Sequence, residues 1–290
     1  MTRRAVLPAL AVLRLHLACG LALLTRLPVD WLLPASYRGG ADTQPPPPWP
    51  LGRSIWCWPL IGGGVGAVTG CVLVLLHRVH MPPLVAACMA LAAQTLLSGA
   101  LHEDGLADMA DAAGGRTRER RLEIMRDSHI GSFGTSALCL AFGIRVAALA
   151  ALAVQPGKVG MISCILAGVL GRAAMLVLPA RLPPARTDGL ARALSPLPRA
   201  PLGVALASAG ALTLWLMTLW GENWTKEWAT GTHPTALSLT LAPIIAACLG
   251  VIGMAWAARR LLGGYTGDVL GACVVVVECL VLATFAALAA

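Results

Sequence analysis

HEDGLADMADAAGGRTRERRLEIMRDSHIGSFG, residues 102–134, decides how this chain is read. The chain holds 14 Asp and Glu, and seven of them lie in this stretch: Glu103, Asp104, Asp108, Asp111, Glu119, Glu123 and Asp127. On either side the sequence turns to oil, with apolar runs over 82–101 and 133–155. Carboxylates gathered between two such runs are costly unless they bind something. The simplest ligand is a cation, and a cation beside a membrane points to phosphate chemistry at the membrane surface.

Working outward, the composition fixes the class. Hydrophobic residues make up 57% of the 290, charged residues 12%, and mean hydropathy is +0.74. A soluble domain carries about 25% charge. The chain therefore reads as an all-α, polytopic integral membrane protein with about seven or eight transmembrane or re-entrant helices, and residues 1–290 as one membrane-embedded domain. Apolar runs fall at 5–25, 56–76, 82–101, 133–155, 159–178, 201–220, 236–257 and 268–289. The first is interrupted by Arg14 and His16, so a re-entrant or interfacial segment is expected there. Pro45 to Pro48 read as a stiff extended link. Nine cysteines, with no CxxC pair, read as small buried hydrophobes.

The connections 26–55, 102–132, 179–200 and 258–267 carry 14 of the 22 basic residues, and the alternate set carries five. The positive-inside rule then places the acidic loop on the cytoplasmic side of the inner membrane. The net charge of +8 is accounted for by these loops and needs no nucleic acid.

Asp104, Asp108 and Asp111 are spaced i, i+4, i+7, which puts them on one helix face. With Glu103 they form a candidate ligand set. An oxygen-only set favours Mg²⁺ or Mn²⁺ over zinc, and Mg²⁺ keeps water and shares substrate phosphates. Gly105 among them lets backbone come close to a ligand. Of the arginines that follow, Arg121 and Arg126 are the candidate diphosphate clamps. Arg118, Glu119, Arg120 and Glu123 read as an ordinary ion-paired helix. Asp127 and Ser128 suit either a cap for the next span or a return to the metal site. Gly263-Gly264-Tyr265-Thr266-Gly267-Asp268 offers N–H groups for a phosphate at a helix start, through Gly264 and Gly267, with Asp268 as cap or catalytic carboxylate. Arg181, Arg186, Asp188 and Arg192 share that side and are explained by topology or by substrate phosphates. Glu278, within an apolar run, is either protonated or paired with Arg145 or Arg172. Gly62, Gly63, Gly64 and Gly66 read as a close-packing face. Trp49, Trp56, Trp58, Trp220, Trp224 and Trp228 read as interfacial belts.

The segments LTRLPV (24–29), WPLIGGGVGA (58–67), HEDGLADMADA (102–112), RRLEIMRDSHIGSFG (120–134) and GGYTGDVLGA (263–272) resemble the cobalamin synthase family in content and order. His129 and Tyr265 depart from its usual pattern. The resemblance implies an adenosylcobinamide-GDP ribazoletransferase, EC class 2.7.8, acting in the last stage of nucleotide-loop assembly. It implies adenosylcobinamide-GDP and α-ribazole or its 5′-phosphate as substrates, with GMP as leaving product and Mg²⁺ as cofactor. The 5′-hydroxyl of α-ribazole is the expected nucleophile. On this reading Asp104, Asp108, Asp127 and Asp268 are catalytic candidates, with Asp127 or Asp268 as base, and Glu103, Asp104, Asp108 and Asp111 hold metal. A homo-oligomer, or contact with other cobalamin-assembly enzymes, is compatible with it. A CDP-alcohol phosphotransferase is disfavoured because its D-x-x-D-G-x-x-A-R spacing is absent. A carrier is disfavoured because most of the carboxylates lie in a loop rather than at the midplane.

Overall fold

The computed structural model describes residues 9–34, 37, 48–221 and 236–290, and is helical throughout apart from one isolated bridge between Pro184 and Tyr265. In chain order the helices are α1 (Ala9–Leu24), α2 (Leu51–Ser54), α3 (Trp58–Arg78), α4 (Pro83–Ser98), α5 (Leu101–Ala112), α6 (Arg118–Ile124) and α7 (Ser132–Ala153). They continue as α8 (Gly157–Met175), α9 (Val177–Arg181), α10 (Gly189–Ala193), α11 (Arg199–Gly221), α12 (Ala236–Leu262) and α13 (Gly267–Ala289). Among the described residues, six segments are long and apolar enough to cross a membrane: Leu51–Arg78, Ser132–Ala153, Gly157–Arg181, Arg199–Trp220, Thr240–Leu262 and Gly267–Ala289. Helix α1, at 16 residues, falls short of a span. The polyproline run, Arg3, Arg4, Trp224 and Trp228 lie almost wholly outside the described residues.

The expected span at 82–101 is broken. Helix α4 ends at Gly99 (φ +65°), and Ala100 is also left-handed (φ +58°). Glycine closes a helix this way readily, whereas alanine seldom adopts it. Two left-handed residues in a row turn the chain through 90° into α5. Helix α5 therefore runs across the N-terminal ends of α7 and α13 instead of continuing the crossing.

Helices α8 and α13 form the centre, with 78 and 72% of their most apolar windows buried against 28–33% for α7, α11 and α12. The outer three turn Leu140, Ile144, Trp215, Leu249 and Trp256 outward, as lipid-facing helices do. The α3–α8 contact depends on small residues: a Cβ at Gly62 would collide with the Gly168 carbonyl, and one at Gly66 with that of Cys164. Gly64 faces open space. Trp58 and Trp220 are fully buried, so neither belongs to an interfacial belt. Trp58 instead donates from Nε1 to Ser54 Oγ (3.2 Å).

Four charges lie inside the bundle. Glu278 on α13 pairs with Arg172 on α8 and with Arg145 on α7 (3.4 Å), and accepts from Gln94 Nε2 (2.7 Å). Thr69 Oγ1 donates to Gln94 Oε1 (3.0 Å), and Arg145 also holds Glu103 (2.9 Å). The group is neutral overall, which is what permits it there. Glu278 is thus paired with both arginines considered for it.

Candidate active site

Three basic connections meet on one face. Ala185 N–H donates to Tyr265 O (2.8 Å) and Tyr265 N–H to Pro183 O (2.9 Å). Arg118 donates to Leu262 O (2.7 Å) and Ala185 O (3.0 Å), and Arg121 to Leu261 O (3.2 Å). These guanidiniums satisfy carbonyls left open at the end of α12. Arg121 is therefore used in holding the face together, and it does not line the cleft described next. Arg118 does the same work, while Arg120 and Glu123 form the exposed ion pair expected on α6 (3.0 Å).

Between α5, α7 and the loop after α6 lies a cleft of about 510 Å³. Helix α5 contributes Glu103, Asp104, Ala107 and Asp108, with Ala100 at its head. The loop contributes Met125 to Ile130, and α7 contributes Leu138 and Phe142. Asp104, Asp108, Arg126 and Asp127 thus share one cavity. Asp268 approaches from α13, close enough that its charge, with those of Asp104 and Asp111, bears on Asp108, and Arg186 opposes them. Gly105 is the point of contact: a Cβ there would come within 2.6 Å of the Asp268 carbonyl. Its close approach serves helix α13 rather than a ligand.

Two of the four expected metal ligands are engaged elsewhere. Glu103 is 5% exposed and paired with Arg145. Asp111 accepts from Gly131 N–H (2.7 Å) and Gly134 N–H (2.8 Å), the open donors at the start of α7. Gly131 is the N-cap residue and has no side chain to do this, so Asp111 caps α7 from another helix. Asp127 is not the cap. It accepts from the His129 backbone N–H (3.0 Å) and meets its imidazole Nδ1 (2.6 Å). The hydrogen bond from the His129 ring, then that from its backbone, holds the Asp127 carboxyl below the usual range. Among the described residues no three His, Cys, Asp or Glu side chains converge as a metal centre. Asp104, Asp108 and Asp268 remain as oxygen donors. That suits an ion such as Mg²⁺, which takes one or two carboxylates and completes its shell with water and substrate phosphate.

The glycine block is structural at Gly264, where a Cβ would strike the Pro183 carbonyl. Gly267 opens α13, and Thr266 caps it by accepting from Val269 N–H (3.3 Å). Asp268 is not the cap; it accepts from Thr266 Oγ1 (3.1 Å) and faces Arg186 (3.6 Å). Arg186 also donates to Leu122 O (3.3 Å), and its charge bears on Asp108 as well as Asp268. Arg126 lines the cleft, and its exposed pairing with Asp188 (3.0 Å) leaves it free to exchange partners. The apolar wall, Leu138 and Phe142, had its signal in their i, i+4 spacing and in Arg145 one turn further on the same face.

A family model described as cobalamin-5-phosphate synthase matches residues 16–286. A relative from Sinorhizobium medicae (strain WSM419), named adenosylcobinamide-GDP ribazoletransferase, is 40% identical over 272 residues, which is 93% of this chain and 95% of its own. One of the same name from Bradyrhizobium diazoefficiens (strain JCM 10833 / BCRC 13528 / IAM 13628 / NBRC 14792 / USDA 110) is 42% identical over 223 residues, 77% of this chain and 78% of its own. A third, from Azorhizobium caulinodans (strain ATCC 43989 / DSM 5975 / JCM 20966 / LMG 6465 / NBRC 14845 / NCIMB 13405 / ORS 571), is 40% identical over 242 residues, 83% of this chain and 85% of its own. No solved structure matches the chain.

Proposed function

The chain belongs to the cobalamin-5-phosphate synthase family, and from that premise we propose that it joins α-ribazole, or its 5′-phosphate, to adenosylcobinamide-GDP. GMP leaves, and adenosylcobalamin or its 5′-phosphate forms, closing the nucleotide loop. The observation that carries this is the cleft holding Asp104, Asp108, Arg126 and Asp127 at the face where the basic connections meet.

In this reading the nucleophile differs from the 5′-hydroxyl expected from the sequence. A product that bears a 5-phosphate has its 5′-oxygen already esterified. The attacking group is therefore a secondary ribose hydroxyl, not the 5′-hydroxyl. Its oxygen bonds to the phosphorus carried by cobinamide, the bond from that phosphorus to the bridging oxygen breaks, and GMP takes the bridging oxygen away. The hydroxyl proton passes to a carboxylate. Asp108 is the best placed base, because it lines the cleft, where burial first and then the like charges of Asp268 and Asp104 push its carboxyl up to about 7. Asp127 is less suited, because the hydrogen bonds from His129 to its Oδ1 hold its carboxyl below the usual range. Arg126 and Arg186 steady the diphosphate in place of Arg121, Gly264 and Gly267.

Asp104 and Asp268 would hold Mg²⁺, which when bound neutralises diphosphate charge. The bias of basic connections supports placement in the inner membrane with the cleft toward the cytoplasm. The test is GMP release by the purified, detergent-solubilised protein given adenosylcobinamide-GDP, with and without α-ribazole and with and without Mg²⁺. Release that needs both, with a cobalamin product, is expected. Absence of release from folded protein across several lipids and metals would overturn the assignment.

A further inference from the structure

The cleft has two chemically different walls. One wall, from α5 and the loop after α6, carries the carboxylates and Arg126. The other, from α7, is apolar and backs a slot. On α7, Leu138 and Phe142 lie one turn apart and present one face. Across the cleft α5 offers Ala100 and Ala107, whose side chains stop at Cβ, with Glu103 and Asp104 between them on the same face. Buried Met125 adds to this apolar lining. Arg145 lies 5.1 Å from the centre of the Phe142 ring and is paired with Glu103 and Glu278. Leu138 and Phe142 themselves offer no donor to a phosphate. A flat apolar ring suits this wall.

We infer that this slot is the seat of the acceptor's heterocycle, so that Leu138 and Phe142 set which bases the enzyme attaches. The inference rests on the transferase reading above. A volume of about 510 Å³ is ordinary for a small-molecule pocket and takes a nucleoside. It is far too small for a corrin macrocycle joined to GDP, which must approach from the open side. With the benzimidazole of α-ribazole packed on Leu138 and Phe142, the ribose faces Asp104 and Asp108 across the cleft. The apolar wall thereby aims the nucleophilic hydroxyl at the base, and ring size becomes a determinant of turnover.

The experiment uses full-length protein in detergent and the variant Leu138→Trp, which fills the slot from a half-buried position. The KM for α-ribazole should rise at least about tenfold, within the about 5- to 150-fold that one base–aromatic stack is worth. The KM for adenosylcobinamide-GDP should stay within about twofold. A riboside of plain imidazole, lacking the fused ring, should lose much less. A rise in the donor KM with the acceptor KM unmoved would overturn the inference and give the slot to the donor. No change in either would also overturn it. Should Leu138→Trp fail to accumulate, Phe142→Leu removes the ring face and should raise the acceptor KM several-fold. Equilibrium binding of α-ribazole, followed by its own fluorescence, separates the two claims. Binding that weakens about tenfold in Leu138→Trp while wild type releases no GMP would sink the transferase reading alone. Turnover indifferent to residue 138 would sink the slot alone.

Discussion

Asp111 offers the sharpest contrast between what its sequence position suggests and what its contacts show. Its two carboxylate oxygens accept the N–H groups of Gly131 and Gly134 at 2.7 and 2.8 Å. Loss of an N-cap side chain costs about 0.5–2 kcal/mol, and the negative charge beside the helix N-terminus adds about 0.3–1 kcal/mol. Asp111→Ala should therefore destabilise the protein by about 1–3 kcal/mol. At about 2–4 °C per kcal/mol, the melting midpoint in detergent drops by about 2–12 °C. Asn keeps one acceptor oxygen but sets its NH2 against the other N–H, so Asp111→Asn should recover only part of that loss, and it should retain turnover within a few-fold. In both variants the Mg²⁺ concentration for half-maximal rate should stay where it is in wild type. Thiol-reactive melting curves and steady-state GMP release measure these quantities. An Asp111→Asn protein with an unchanged midpoint, no turnover and a raised Mg²⁺ requirement would refute the capping account and restore Asp111 as a metal ligand.

Three further outcomes follow from the geometry. Asp108→Ala should cut turnover by about 10²–10⁴-fold, the worth of a general base, while the melting midpoint holds; activity near that of wild type would remove Asp108 from the chemistry. Gly66→Leu should drive the α3–α8 contact apart and cost at least about 1–3 kcal/mol, read as poor membrane accumulation, whereas Gly64→Leu, facing open space, should behave as wild type. Glu278→Ala leaves Arg172 and Arg145 without their shared carboxylate and should cost about 3–5 kcal/mol, with Glu278→Gln milder; equal midpoints for the two would mean that charge is not what matters there.

The spans were legible because a membrane helix must write its apolar length into the chain. The turn at Gly99–Ala100 was not, since a left-handed alanine has no signature in composition. The i, i+4, i+7 row correctly gathered Asp104 and Asp108 on α5 and brought them to one cleft. Spacing alone could not say that Glu103 would be claimed by Arg145, 42 positions away, or Asp111 by glycines 20 and 23 positions away. Arg186 was one of several cations that topology explained equally well, until the Pro184–Tyr265 bridge set it beside Asp268. Leu138 and Phe142 carry the same letters as their lipid-facing neighbours, and in the sequence only their spacing from Arg145 separates the two groups.

The buried charges also impose an order on biogenesis. Arg172 lies 106 residues ahead of its carboxylate partner, Glu278. At about 5–20 residues per second, a ribosome needs about 5–20 s to cover that distance. Through that interval α8 is already made, its guanidinium waiting for a helix that does not yet exist. Arg145 has an earlier companion in Glu103, and Arg172 has no such provision. The nascent bundle must therefore be chaperoned or remain loosely assembled until α13 arrives, and a ribosome stalled before Glu278 would release a product that membrane proteases can recognise by its stranded arginine.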